Sequence, residues 1–319
     1  MVGKVTPYTM LTGTGVPILL NKNNWKKANE LLQEAFNASQ GQDPEPIDIG
    51  EPGYWGNKME ATIAQEACDR LGLYKPNVTH DKAIYHSTWP LAVSLDATTT
   101  GNNKTISTDV DKGIICMNAD EITLEGDGCI ECKLTGAEVE SEPSEYRGVW
   151  QLQAQMACTG AKWGVLATLY KGTIMKLFVY QRDQEMFETI RDLSYDFARR
   201  VHLYETAGET EWYEFKTAKE ASKVFDEASE EVIELDDMET IAQQIVDIKK
   251  DIQGKHDELD QLQAQIMERM RDSKRAKAGN YTIYWPMLNY KGTKERVVPA
   301  KPAYSVRQSK LRIKYNATN

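Results

Sequence analysis

Apolar and polar positions change rhythm several times along this 319-residue chain, and each rhythm predicts an element. Trp25, Ala28, Leu31, Leu32 and Ala35 recur at helical spacing and predict a helix over 24–36 with these side chains inward. A glycine-punctuated turn, Thr12-Gly13-Thr14-Gly15, precedes it and leads into apolar Ile18-Leu19-Leu20. Residues 38–53 carry Asp43-Pro44-Glu45-Pro46 and Glu51-Pro52-Gly53 and read as a loop. Met59, Ile63, Ala67 and Leu71 then predict a second helix over 57–71.

From about residue 83 to 135 the period shortens. Leu91–Asp96, Gly113–Met117, Ile122–Leu124 and Ile130–Leu134 are short apolar runs separated by glycine-containing turns, the pattern of strands. A helix over 146–160 follows, with Val149, Leu152 and Met156 on one side. Val165–Tyr170 and Ile174–Tyr180 predict a hairpin turned at Lys171-Gly172, and a helix over 184–202 comes next. Helix, strands, helix, strands, helix argues an α/β core with a mixed central sheet flanked by helices. Beyond residue 206, Ile241, Ile245, Ile248, Ile252, Leu259, Leu262 and Ile266 alternate steps of four and three, broken by Lys255. Such a heptad-like seam predicts a long helix or a coiled-coil hairpin. Strand-like Tyr281–Trp285 and Leu311–Tyr315 lie in the last segment. The expected organisation is therefore a domain over 1–205, an acidic helical region over 206–275 and a basic strand-containing tail over 276–319.

Composition sharpens this in two ways. With 41% hydrophobic and 27% charged residues the chain is of globular type, and no apolar run approaches the ~18 residues of a membrane span. The expected location is a reducing cytosol, because the start lacks an apolar signal region and five cysteines show no disulfide spacing. The net charge of −10 by itself argues against a polyanionic partner, but its distribution removes that objection. Tyr204 to Asp260 holds 18 acids against six Lys/Arg, whereas Lys274 to Asn319 holds 11 Lys/Arg against a single acid, Glu295. Local potential governs contact with DNA, so the acidic segment does not rule it out.

The candidate chemistry centres on Glu131-Cys132-Lys133. Two residues apart on a strand, the acid and the lysine project to one face. There a carboxylate can hold a metal while an ammonium stabilises a developing anion. Asp96 at the end of an apolar run and Glu60 on a helix add carboxylates, and the Cys132 carbonyl adds a neutral oxygen. Hard Mg²⁺ or Mn²⁺ suits such donors, and hydrolysis of a phosphodiester needs a metal-activated water and charge neutralisation. The same spacing also describes a solvated strand face with cross-strand Glu/Lys contacts. On the helix over 146–160, Gln151 and Gln155 share a polar face, while Gln153 falls within the apolar arc and must find partners there. Neutral amides suit phosphate oxygens. Cys129 and Cys132 face opposite ways on a strand and read as core residues, and His80 and His86 lack a partnered nucleophile.

Taken in order, these residues resemble the phage lambda-type alkaline exonucleases, the YqaJ-like viral recombinases of the PD-(D/E)XK nuclease superfamily. The resemblance rests on Leu11-Thr12-Gly13-Thr14 with Asn23-Asn24-Trp25, on Trp55-Gly56-Asn57-Lys58-Met59-Glu60, on Ser94-Leu95-Asp96 and on Glu131-Cys132-Lys133. It rests most specifically on Gln151-x-Gln153-x-Gln155-Met156-x-x-Thr159-Gly160, and it covers about residues 10–202, with a weaker echo at Gly279–Trp285. It implies a PD-(D/E)XK restriction-endonuclease-like core with a helical and basic C-terminal extension. It implies metal ligation by Glu60, Asp96, Glu131 and the Cys132 carbonyl, with Lys133 as catalytic lysine. Gln151 would contact phosphate with Gln153 supporting it, and Thr14 would stand where the family places a serine that helps bind a 5′-phosphate. The implied activity is Mg²⁺-dependent 5′-to-3′ digestion of linear double-stranded DNA, leaving 3′ overhangs. Its implied partners are further copies of the chain in a trimeric ring and a phage single-strand annealing protein. A non-catalytic DNA-end-binding scaffold and an endonuclease of the same superfamily are the alternatives. Two departures stand out: Leu95 replaces the usual proline, and the interval from Asp96 to Glu131, which also contains Asp120 and Asp127, is long.

Overall fold

The computed structural model describes residues 5–23, 25–45, 50–78, 82–225 and 229–287. They fall into two compact units, one ending at Val224 and one beginning at Phe225. The first unit thus runs past residue 205. Its last stretch is tied to the front of the chain by Asn29, which donates to the Tyr213 carbonyl (2.9 Å) and accepts from the Tyr213 amide (2.8 Å).

The chain opens with β1 (Leu11–Thr12), the glycine turn, a short α1 (Val16–Leu19) and α2 (Ala28–Ser39). The helix predicted from residue 24 begins later because Asn23 Oδ1 accepts from the amides of Trp25 (2.8 Å) and Lys26 (3.0 Å), an Asx turn that holds this stretch non-helical. Trp25 therefore falls outside the helical period and is 73% exposed rather than inward, while Ala28, Leu31, Leu32 and Ala35 are buried as predicted. Next comes α3 (Gly50–Leu71), which starts well before residue 57. Pro52 sits in its first turn, where an amide has no helical partner to lose, so the expected breaker is a helix opener.

After α3 come β2 (Asn77–Val78), β3 (Ile84–Tyr85), β4 (Leu91–Val93) and β5 (Ala97–Thr100). The run read as one strand through Asp96 is interrupted: β4 ends at Val93, and Asp96 occupies the bend before β5. Then follow β6 (Lys104–Ser107), β7 (Ile114–Cys116), β8 (Glu121–Leu124) and β9 (Asp127–Thr135). A single 3₁₀ turn, Glu145–Arg147, leads into α4 (Val149–Thr159), and β10 (Trp163–Tyr170), β11 (Ile174–Gln181), α5 (Gln184–Ala207) and α6 (Ala218–Val224) complete the unit.

The central sheet has the order β2-β5-β9-β10-β11-β7, with β10 parallel to β9 and antiparallel to β11. It is mixed and flanked by helices, as expected. Strict alternation along the strands divides two cores. Cys129, Leu166, Tyr170, Phe178 and Tyr180 pack on the side of α2, α4 and α5, whereas Ile130, Cys132, Val165, Leu177 and Val179 pack with Ile63, Ala67 and Leu71 of α3. Gly164 lets α4 lie close on the sheet, since a Cβ there would stand 2.8 Å from Leu152 Cδ1. A separate sheet, β1-β4-β3, brings the glycine turn beside the end of β4. The β6–β8 ribbon and β7 account for the long interval after Asp96: Ile106, Ile122 and Leu124 of the ribbon are buried in the α3-side core, β7 joins the central sheet beside β11, and β5 and β9 on either side of the interval pair antiparallel, Ala97 opposite Ile130.

In the second unit α7 (Glu239–Met270) is one continuous helix, not a hairpin of two. The strand expected at residues 281–285 is β13 (Tyr281–Tyr284), paired antiparallel with β12 (Arg275–Ala278). The strand expected at residues 311–315 lies outside the described residues, as does His80. Among the described residues no helix is long and apolar enough to cross a membrane.

Candidate active site

The alternation that sends Ile130 and Cys132 toward α3 sends Glu131 and Lys133 to the other face, beneath α4. Glu131 is 1% exposed. One carboxylate oxygen takes the Lys133 ammonium, and Oε2 accepts from Gln155 Nε2 at 2.6 Å. Lys133 Nζ also donates to Gln151 Oε1 at 3.3 Å. Gln151 and Gln155 lie one helical turn apart on the same face of α4, so a single helix clamps both ends of the Glu131–Lys133 pair.

Asp96 arrives from the bend after β4. Its Oδ2 accepts from the Cys132 amide at 2.7 Å, which fixes it against the strand that carries Glu131 and Lys133. Leu95 beside it is buried in the core, so the residue standing in place of proline anchors the bend by packing. Gln155 Nε2 holds the same segment by donating to the Ser94 carbonyl at 2.9 Å. Asp127, by contrast, sits at the start of β9, where it accepts from Thr100 Oγ1 (2.5 Å), and Asp120 is exposed.

The electrostatics join these groups. Burial pushes the Glu131 carboxyl up to about 7, aided by Asp96 and opposed by Lys133 and Gln155. Burial likewise raises Asp96 to about 6, with Glu60 adding to it and Lys133 and the Cys132 amide working against it. Glu60 on α3 is raised by burial and by Glu131. Burial lowers the Lys133 ammonium, but Glu131 and Asp96 outweigh this and hold it above its ordinary range. Glu60, Asp96, Glu131 and Lys133 therefore form one electrostatic group.

Gly148 makes room for it. With φ +128° the residue has a conformation that L side chains rarely adopt, and a Cβ there would lie 3.0 Å from Lys133 Cε and 3.1 Å from Leu166 Cδ1. The glycine turn stands against the N-terminal half of α4, where a Cβ on Gly13 would meet Gln151 Cγ at 3.4 Å. Thr14 is exposed next to it, its hydroxyl 3.1 Å from that of Thr12.

Gln153 is not brought to this group. Its Nε2 donates to the Gln181 carbonyl (3.0 Å) and its Oε1 accepts from the Asp183 amide (3.1 Å), which binds α4 to the β11–α5 junction. The glutamine that sequence reasoning left out of the site is Gln155. The Gln151–Gln155 spacing pointed to it, but only burial against Glu131 separates it from a solvated residue.

A hard divalent cation suits these donors. The buried Glu131 and the half-buried Asp96 carboxylates repel one another, the Cys132 backbone lies between the side chains of Glu131 and Lys133, and Gln155 Oε1 is buried with no hydrogen-bond partner among the described residues. Among those residues no three His, Cys, Asp or Glu side chains converge on one metal position. Magnesium commonly takes only one or two carboxylates and fills its shell with other oxygens and water. Asp96, Glu131 and the Cys132 carbonyl would hold it, with Glu60 nearby.

Residues 7–162 match the family model described as the YqaJ-like viral recombinase domain. The matched stretch is just under half of the chain. Every residue from Thr14 to Gln155 described above lies within it. Part of the chain is similar to solved structures of the alkaline exonuclease LHK-Exo. One, in complex with dAMP, is 16% identical with a TM-score of 0.44 and covers 62% of this chain and 91% of that chain. Another, from Laribacter hongkongensis, is 15% identical with a TM-score of 0.43 and the same coverage. Comparison with curated proteins finds no match. The match ends just before β10, so the hairpin and α5 that complete the sheet and the core lie beyond the matched residues.

Proposed function

We propose that this protein is a Mg²⁺-dependent 5′-to-3′ exonuclease that shortens one strand of linear double-stranded DNA and leaves a 3′ overhang for recombination. The observation that carries the reading is the Lys133 ammonium. It is shared between Glu131 and Gln151 on a sheet face where Asp96 is also fixed, inside a YqaJ-like domain. A lysine so held can align a water for in-line attack and meet charge developing on a phosphate. Gln151 would hold a phosphate oxygen through its amide, and Gln155 keeps the Glu131 carboxylate oriented. Bound Mg²⁺ would supply Lewis acidity and acidify its water. Thr14, the exposed residue of the glycine turn, would receive the 5′-phosphate. A trimeric ring and a phage single-strand annealing protein complete the reading as partners, with the bacterial cytosol as the setting.

The test is digestion of 5′-phosphorylated linear duplex beside closed circular duplex, with Mg²⁺ or with EDTA. Linear DNA should disappear only with Mg²⁺ while the circle stays intact. Glu131→Ala and Lys133→Ala should each lower the rate by roughly 10²-fold or more. Nicking of the circle would favour an endonuclease, and binding of ends without digestion would favour a scaffold; either would overturn the exonuclease.

A further inference from the structure

One stripe of α7 is apolar along the helix and open to solvent. Ile241, Ile248, Ile252, Leu259, Leu262 and Ile266 are 42–58% exposed on a 32-residue helix. Numbered in heptads, Ile245, Ile252, Leu259 and Ile266 take the a positions, and Ile241, Ile248, Lys255 and Leu262 take the d positions. A helix this long with a seam this regular resembles half of a coiled coil.

The charges beside the seam select the other half. Asp251 and Glu258 occupy g positions, and Lys249 and His256 occupy e positions. In a parallel pair each g residue faces the e residue five places on in the second helix. Asp251 then meets His256, Gln244 meets Lys249 and Glu258 meets Gln263, with no like charges opposed. In an antiparallel pair g faces g and e faces e. The register that aligns the apolar layers would set Asp251 against Glu258 and Lys249 against His256. The seam thus opposes no like charges in one orientation and sets Asp251 against Glu258 in the other.

We propose that α7 packs in parallel and in register against α7 of other copies of this chain. Isoleucine at both a and d in its first half favours more than two helices over a simple pair. Lys255, the one charged residue at the a and d positions from Ile241 to Ile266, fixes the register: in register the lysines share a single layer and can extend to solvent, whereas a shift by one heptad places them in apolar layers.

The proposal does not rest on the nuclease reading, and its test involves no DNA. Ile245→Cys and Leu262→Cys, made separately in the full-length chain, are exposed to a mild oxidant, with wild type and the outward-facing Gln243→Cys as controls. The five native cysteines set the background; Cys68, Cys116, Cys129 and Cys132 are buried. Each seam variant should form at least tenfold more disulfide-linked dimer than either control. Linkage found only between Ile245→Cys and Leu262→Cys in a mixture would show antiparallel packing and overturn the proposal. No linkage above the controls would overturn it too, meaning that the chain's own basic tail or a different protein covers the stripe.

Discussion

Asp96, Glu131 and Lys133 each hold their place through a named neighbour. Gln155 is a positioning residue: Gln155→Leu removes the donors to Glu131 and Ser94, so kcat should fall more than tenfold with KM little changed. A fall confined to KM would contradict this role. Gly148→Ala combines strain at φ +128° with pressure on Lys133, and should cost roughly 1–3 kcal/mol and most of the activity. Gly160→Ala is the control, since φ is +73° there but nothing lies near its Cβ. It should lower the melting temperature without abolishing activity. The raised carboxyls also set a pH dependence. Asp96 (about 6) and Glu131 (about 7) keep protons in the fold that they would lose in the unfolded chain. In EDTA, melting temperature should therefore fall as pH rises from about 4 to about 7, then level off. Glu131→Gln should flatten that slope; an unchanged slope would remove Glu131 as its source.

At the scale of elements, the segment between β9 and α4 is fastened by Glu140. Its carboxylate accepts from Arg147 Nε (3.0 Å) and Tyr170 Oη (2.8 Å), and Arg147 also donates to Thr135 Oγ1 (3.1 Å). Burial works to raise Glu140, but these donors and Ser144 outweigh it and hold the carboxyl down at about 2. The stability contributed is present above the ordinary carboxylate range, near 4.3, and is lost as pH falls toward 2. Glu140→Gln should remove this acid limb while leaving the fall between pH 4 and 7 in place. Thermal melts over pH 2–8 measure both limbs at once. Because Gly148 follows directly, the same latch sets where α4 starts and hence where Gln151 and Gln155 meet the strand.

Over the whole chain, charge is segregated: the acidic stretch ends at Asp260 and the basic one begins at Lys274. If the basic tail grips DNA, ending the chain at residue 287 removes eight Lys/Arg and one acid, Glu295. The slope of log affinity against log salt should then shrink by about 0.9 for each phosphate that the shortened chain no longer neutralises. An unchanged slope would instead leave the tail to neutralise the acidic helix of its own chain or of a neighbour.

Much of the fold and of the candidate site was legible because it depends on local periodicity. A strand's period of two puts Glu131 and Lys133 on one face whatever surrounds it, and a helix's 3.6 puts Gln151 beside Gln155 and lines up the α7 seam. What needed the tertiary structure depends on contacts distant in sequence. No local pattern says that the chain returns from the β6–β8 ribbon with β5 beside β9, and that return is what sets Asp96 on the Cys132 amide. Nor does one say that Gln153 is consumed by the β11–α5 junction while Gln155 reaches Glu131. Trp25 and Pro52 depart from their expected places for a local reason instead: an Asx turn and a helix's first turn override the periodicity next to them. Spacing alone determined which side chains share a face; packing decided which face met which.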